Sequence, residues 1–316
     1  MYGVDKKYYI IAITVLTGSY AVYLTPSLES TDDYPDYYYF VLPFYLECES
    51  NEFPEKRNPI SWWFRCFSYQ TLGNDRIIPI VASIAHVPLC YILGSSIIRD
   101  RRAGLVASIA FVFNPIVLLF DDSTTYDQVW SLFLLLSILS IYLKPLGTIP
   151  FYILSILAKG YAFAFLPMML YHNIKEKRKL CVYLLIALGV GFAIFVYFDY
   201  NITGNPIGFY PDRMIDGLVR IFETLWPVLP WLGLFVVIDY MFKGKFEGKD
   251  VCKVWMLGII GTIPMIYLFT FSQDMYAYRM WPFVIFMSIY IGGILVKVFD
   301  WYIRLRERKQ SSFIRE

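Results

Sequence analysis

Apolar residues fall along this chain in runs close to twenty long, separated by polar stretches whose charge alternates between basic and acidic. A helical run of about 20 apolar residues spans the hydrocarbon core of a bilayer. The runs cover 8–24, 77–97, 104–120, 129–143, 180–200, 225–242, 254–271 and 281–299. Lysine and arginine are retained on the cytoplasmic side of short connections, so the basic stretches orient the threading. Lys6 and Lys7, Arg99 with Arg101 and Arg102, Lys144, the cluster from Lys175 to Lys179, Lys243, Lys245 and Lys249, and the basic run from Arg304 to Lys309 all fall on one side. The other connections, 25–75, 121–127, 201–216 and 272–279, are acidic or neutral. The pattern predicts one all-α integral membrane domain over 1–316, multi-pass, with about eight full spans. Both termini are expected in the cytoplasm, and 300–316 reads as a cytoplasmic basic tail.

One segment breaks the alternation. Residues 148–172 are apolar and long enough to cross once, yet Lys144 before them and Lys175–Lys179 after them both belong to the cytoplasmic set. A single crossing would place every later basic cluster on the wrong side. Lys159-Gly160 stands at the midpoint of the segment and Pro167 follows. We therefore expect a re-entrant pair of short helices meeting at Lys159-Gly160, since irregular backbone at membrane depth needs protein or a watery cavity beside it. The competing reading is an ordinary helix whose lysine snorkels to the surface.

Composition agrees with the pattern and narrows the class. The chain is 58% hydrophobic and 17% charged, where soluble domains carry roughly 45–50% apolar and about 25% charged residues. A soluble protein this apolar has too much surface to hide it. The net charge of +2 and the lack of a basic-aromatic patch give no reason to expect nucleic acid. The first apolar run ends without a small-residue cleavage motif and is expected to be retained as a helix. The five cysteines make no metal pattern. Cys48 and Cys66 share the first outer loop and either pair in an oxidising compartment or remain separate thiols. Two histidines, His86 in an apolar run and His172 beside basic residues, lie too far apart for a zinc site. Asn201-Ile202-Thr203 is a glycosylation tripeptide of a kind that also arises by chance.

The candidate chemistry lies on the acidic side. The loop 25–75 is about 50 residues long, well beyond an ordinary connection, so it is expected to contain structure of its own. It opens with Asp32-Asp33-Tyr34-Pro35-Asp36-Tyr37, three carboxylates beside the membrane surface. Such a group suits a general base acting next to a sugar and a lipid phosphate, or ligands for a divalent cation such as Mg or Mn. It also suits a merely solvated loop. A second cluster, Asp121-Asp122-Ser123-Thr124-Thr125-Tyr126-Asp127, lies on the same face, where Asp122 or Ser123 could cap the next helix. Arg279, within Tyr276-Ala277-Tyr278-Arg279-Met280-Trp281, adds a guanidinium suited to bidentate phosphate contacts. Its plainer reading is an interfacial arginine in an aromatic belt. No Gly-rich phosphate loop is present, which argues against a nucleotide-driven pump.

Taken in order, these stretches resemble the C-type (GT-C) glycosyltransferases, multi-pass enzymes that use a polyprenyl-phosphate (dolichyl-phosphate) sugar and include protein O-mannosyltransferases and aminoarabinose transferases. The resemblance runs over about residues 8–180 and again at 279–282. Its motifs are the acidic run at Asp32–Asp36, Gly73-Asn74-Asp75-Arg76-Ile77, Arg102-Ala103-Gly104 through Asn114-Pro115, Tyr126-Asp127-Gln128, and Ala158-Lys159-Gly160-Tyr161 to Pro167. It implies a GT-C-type bundle and inverting transfer of a sugar to a lipid-linked or protein acceptor on the extracellular, periplasmic or lumenal face. It implies a carboxylate base among Asp32, Asp33 and Asp36, with Asp33 favoured. Arg279 and Lys159 would contact the donor phosphate, with Asp122, Asp127 and Tyr276 completing the donor site and Asp36 and Asp127 as the cation ligands. The acidic run departs from the family's usual spacing, so the base stays open among the three. The chain ends after the membrane region, which the resemblance reads as a small or lipid-linked acceptor or a partner that recognises it. Two other classes remain: a transporter or flippase, and a non-catalytic membrane subunit. No inverted repeat relates the halves, against the usual transporter plan.

Overall fold

The computed structural model describes residues 5–28, 48, 59–121, 127–203, 219, 222–223, 226, 229–241 and 280–313. The expected span 254–271 lies outside them, as do Asp32, Asp33, Asp36, Asp122, Tyr276 and Arg279. The described residues are helical, with no strand.

The helices are α1 (Lys6–Leu24), α2 (Pro59–Leu72), α3 (Ile77–Ile98), α4 (Arg101–Val112), α5 (Pro115–Phe120), α6 (Asp127–Leu143), α7 (Thr148–Ala158), α8 (Leu166–Lys175), α9 (Lys179–Thr203), α10 (Leu229–Met241) and α11 (Trp281–Phe313). Among the described residues, three helical stretches are long and apolar enough to cross a membrane: Lys6–Leu28, Ile77–Ile98 and Trp281–Glu307. Shorter apolar stretches follow at Asp127–Leu143, Pro145–Ala158 and Lys179–Gly191. The first expected outer loop does contain structure, namely α2.

One expected element comes out differently. The run 104–120 is two helices, α4 and α5, divided at Asn114-Pro115. Pro115 has no N–H to give to the helix and pushes the residue before it out of the α region. Asn114 is accordingly extended, and its side chain caps α5 by accepting from the Ile116 N–H at 2.9 Å. Helix α11 runs without a break from Trp281 to Phe313, into the basic tail.

The core is built on α3, α4 and α11, which approach closely because small residues meet at their crossings. A Cβ on Gly94 of α3 would come within 2.9 Å of the Gly104 Cα of α4, and one on Gly292 of α11 within 3.0 Å of the Ala107 nitrogen. A Cβ on Gly104 would run into the Tyr91 carbonyl and the Ser95 hydroxyl. Close backbone approach of this kind is how helices associate in lipid, where apolar burial alone gives little preference for a partner. At one end of these three helices Arg99 takes a left-handed conformation (φ 57°) that ends α3, and Asp100 caps α4 by accepting from the Arg102 N–H. Arg102 then grips Asp300 of α11 in a two-pronged pair, 2.7 and 2.9 Å, while also bonding Asp100.

Residues 148–175 form a hairpin against α6. At the start of α7, Ser137 of α6 donates to the Thr148 carbonyl (2.7 Å); near its end, Ser155 donates to the Trp130 carbonyl (2.7 Å). The two helices are therefore antiparallel, and Lys159 lies level with Asp127 at the first turn of α6. The chain then returns: His172 of α8 bonds the Tyr142 hydroxyl at 2.9 Å, back at the last turn of α6. The Cys181 thiol at the start of α9 donates to the Pro145 carbonyl, also at that end. The segment enters and leaves on one side, with the break at Lys159 as its apex.

Two outcomes test this arrangement. Gly104→Val and Gly292→Val should each destabilise by about 1–3 kcal/mol through overpacking, read as a lower thermal midpoint in detergent, with Gly191→Val, whose Cβ meets nothing within 4 Å, as the unaffected control. The second concerns acid. Burial alone would raise the Asp100 carboxyl, but hydrogen bonds and charge from Arg102 outweigh it and hold the group below its ordinary value. A lowered folded value stabilises above the ordinary carboxylate range and is lost as pH falls through it. Thermal midpoints should therefore drop below about pH 4, and Arg102→Gln should flatten that part of the profile.

Candidate functional site

The end of the bundle that carries Asp127 gathers most of the buried polar side chains with long-range partners. Asp127 is the first residue of α6 and 1% exposed at its side chain, while Lys159 is 17% exposed. The Lys159 ammonium donates to both carboxylate oxygens, 2.8 Å each, and the Trp130 indole N–H donates to Oδ1 at 2.7 Å. Asp127 and Trp130 are three apart on one helix, which puts them on the same face. A buried carboxylate is tolerated when it is paired and its remaining acceptor sites are filled, and these three groups meet that condition together.

The break that delivers Lys159 is made by the lysine's own backbone. Lys159 is extended (φ −159°, ψ 119°) and ends α7, after which a tight 3-10 helix covers Gly160–Phe165. Gly160 is not required for space, because a Cβ there meets nothing within 4 Å and its φ is not positive. Instead, surrounding side chains take up the carbonyls the break releases. Ser61 of α2 donates to the Ala158 carbonyl, and the Tyr152 hydroxyl reaches the carbonyls of Ala162 and Phe163, each 3.1 Å away. The carbonyl of Lys159 accepts from the Ala162 N–H at 3.0 Å.

Around this pair lies a second layer. The Asp121 carboxylate, 2% exposed, accepts from the Tyr20 hydroxyl of α1 at 2.9 Å, and its backbone carbonyl accepts from Ser83. Gln128 donates to the Phe120 carbonyl. His86 is held between the Ala82 carbonyl (2.6 Å) and the Ser131 hydroxyl (2.9 Å), against the rings of Phe111 and Trp281. Its Nδ1 faces an atom that can only accept, so that nitrogen carries the proton. The sequence reading of His86 as a locally paired core residue holds. His172, expected among basic residues, is buried and bonded to Tyr142.

Of the residues expected to form the site, Lys159 and Asp127 are brought together, and the rest lie outside the described residues. Asp127 was expected to position the donor or to hold a cation. While Lys159 and Trp130 occupy its oxygens, a metal ion would have to displace an ammonium, so the carboxylate does not fit that role. No group of three or more His, Cys, Asp or Glu side chains comes together among the described residues. Sequence reasoning missed Trp130, Tyr20 and Ser61. The Asp127-x-x-Trp130 spacing was a usable signal for the first; the other two depend on contacts between distant elements.

Cys48 and Cys66 are joined, with Cα atoms 5.3 Å apart. The bridge fastens residue 48 of the acidic loop to α2, and Gln70 of α2 donates to the Cys48 carbonyl at 2.6 Å. No family model, curated protein or solved structure matches the chain. The described residues define its class: they are helical, with three helices long and apolar enough to cross a bilayer.

Removing one partner of the buried pair should be costly. Lys159→Ala or Asp127→Ala leaves an uncompensated charge, worth about 3–5 kcal/mol, whereas Lys159→Met with Asp127→Leu should recover much of the loss. A double-mutant cycle on thermal stability in detergent measures this; additive losses would mean that the two side chains do not interact.

Proposed function

We propose that this protein is a membrane glycosyltransferase that takes a sugar from a polyprenyl-phosphate (dolichyl-phosphate) donor and passes it, with inversion, to an acceptor hydroxyl on the non-cytoplasmic face. The observation that carries the reading is the Lys159–Asp127 pair at the apex of a helical hairpin. An ionisable pair at a helix break is expensive in a membrane and marks function by default. It lies at the end of the bundle from which residues 122–126 continue and against which α2, the anchor of the acidic loop, is packed. That position suits a lipid phosphate entering at the membrane surface with its sugar toward the loop.

In this mechanism the acceptor hydroxyl attacks the anomeric carbon while the bond from that carbon to the phosphate oxygen breaks. A carboxylate of the first loop, Asp33 in preference to Asp32 or Asp36, takes the hydroxyl proton. The electron pair leaves with the lipid phosphate, where Arg279 and Lys159 balance the charge. Asp127 acts as the resting counter-ion that keeps Lys159 aimed, with Asp122 and Tyr276 completing the donor site. A transport pathway could also use a buried pair at a helix break, but the buried charges at Asp121, Asp127 and Lys159 gather at one end of the bundle. That favours a site open to one side.

The reading is tested with protein reconstituted in vesicles and a panel of radiolabelled polyprenyl-phosphate sugars. Loss of a general base costs about 10²–10⁴ in rate, so Asp33→Asn should lose transfer by that factor while donor binding persists. Full transfer by Asp32→Asn, Asp33→Asn and Asp36→Asn alike would remove the first loop from the chemistry.

A further inference from the structure

Helix α2 buries Cys66 and Ser68 and exposes Trp63, Phe67, Tyr69 and Leu72, while Gln70 bonds the Cys48 carbonyl. Its buried side is well anchored: Cys66 is in the disulfide, Ser61 bonds the Ala158 carbonyl, and Ser68 donates to the Asn74 carbonyl at 2.6 Å. Phe64 packs against a small cluster of Ala82 of α3 and Val129 of α6, which Ile78, Leu132 and Phe133 also flank, and its ring lies 6.1 Å from that of Phe133. At 3.6 residues per turn, Trp63, Phe67, Gln70 and Thr71 form one stripe on the opposite face. Trp63 is 53% and Phe67 38% exposed, and their rings stack on each other at 5.5 Å and 11°. The stripe is thus aromatic over the first half of the helix and polar over the second. Its composition is that of a side chain row crossing from lipid to headgroup, because tryptophan and other amphipathic rings concentrate at that boundary.

The position of α2 says what lies against this face. The α3 and α6 residues that Phe64 touches fall within the first two turns of those helices, about 10 Å from their ends at 1.5 Å per residue. Gly73, in a left-handed conformation (φ 72°), turns α2 directly into α3, one of the three helices apolar enough to span a membrane. Val81 of α3, one turn in, is itself largely exposed and belongs to the surface that lipid would cover. We infer that α2 is an interfacial helix whose Trp63–Phe67 pair inserts into the headgroup–acyl boundary of the bilayer, continuous with the lipid-facing surface of α3. The inference rests on α3 lying in a membrane and not on the glycosyltransferase reading. Its consequence for the fold is that bilayer contact, the disulfide and the Ser61 bond together hold α2, with Cys48 bridged to it, at the membrane surface beside the break at Lys159.

Depth-dependent quenching tests it in the full chain. Cys90, Cys181 and Cys252 are replaced by alanine, the Cys48–Cys66 bridge is kept, and an environment-sensitive fluorophore is attached in separate variants at Trp63→Cys, Phe67→Cys, Gln70→Cys and Val81→Cys. The proteins are reconstituted in phosphatidylcholine vesicles with or without spin-labelled lipid. For an interfacial helix, labels at 63 and 67 should be quenched by spin-labelled lipid at least about twofold more than the label at 70, approaching the label at 81. The inference is overturned if 63 and 67 are quenched by aqueous iodide and not by lipid. It is equally overturned if both are shielded from the two quenchers, which would mean that a second copy of the chain covers the face. Because each variant keeps the other aromatic residue, one that fails to fold leaves its neighbour to give the answer.

Discussion

The arrangement depends on one interaction, the ion pair between Lys159 and Asp127. Lysine carries its charge into a largely buried position only because a carboxylate meets it with both oxygens at 2.8 Å. The Asp127 carboxylate, in turn, has its oxygens taken up at the first turn of α6 by the lysine and the Trp130 indole, which stand in for water. The pair lies where α7 stops, at the apex of the hairpin against α6. Hydrogen bonds from Ser137, Ser155 and Tyr142 then hold the remaining register. Burying an ion pair contributes little net stability compared with an apolar pair of the same shape. The place of the pair at the break in the chain is the basis of the proposed function.

The opposite end of the bundle uses charge differently. There Arg102 joins Asp100 and Asp300 in a partly exposed cluster, and its work is to tie the α3–α4 corner to α11. Between the two ends the helices are held by close approach of small residues at Gly94, Gly104 and Gly292. The bundle thus has a tightly crossed centre, a charge clamp at one end, and a buried polar layer at the other. Only the last contains a carboxylate and an ammonium paired at a break in the chain, which is why the functional reading is placed there.

Much of this was legible in the sequence, for identifiable reasons. Apolar run length predicted α1, α3, α6 and the start of α11 closely, since a membrane span is specified by length and hydropathy alone. The hairpin at 148–175 was legible from charge: basic residues on both sides of one apolar segment leave it no way to cross. What run length could not see was the division of 104–120, where Asn114-Pro115 breaks the helix without changing its hydropathy. Nor could it give the Lys159–Asp127 pairing. Placing both residues on one face followed from threading, but contact required the register of α7 on α6, which is set by serine hydroxyls and backbone carbonyls with no sequence signature. The helices were expected to meet at Lys159-Gly160, and the break falls there, at the extended backbone of Lys159.

The central claim is that Lys159 serves a lipid-linked phosphate. The most direct measurement is equilibrium binding of a radiolabelled polyprenyl-phosphate sugar to the purified chain in lipid nanodiscs, compared with a folded Lys159→Gln, Asp127→Asn protein in which the pair is replaced by neutral amides. The account predicts saturable binding to the unaltered protein and at least about a tenfold weaker affinity, 1.4 kcal/mol, once the ammonium is gone. Equal affinity in the two proteins, or no binding of any such donor to the unaltered one, would contradict it.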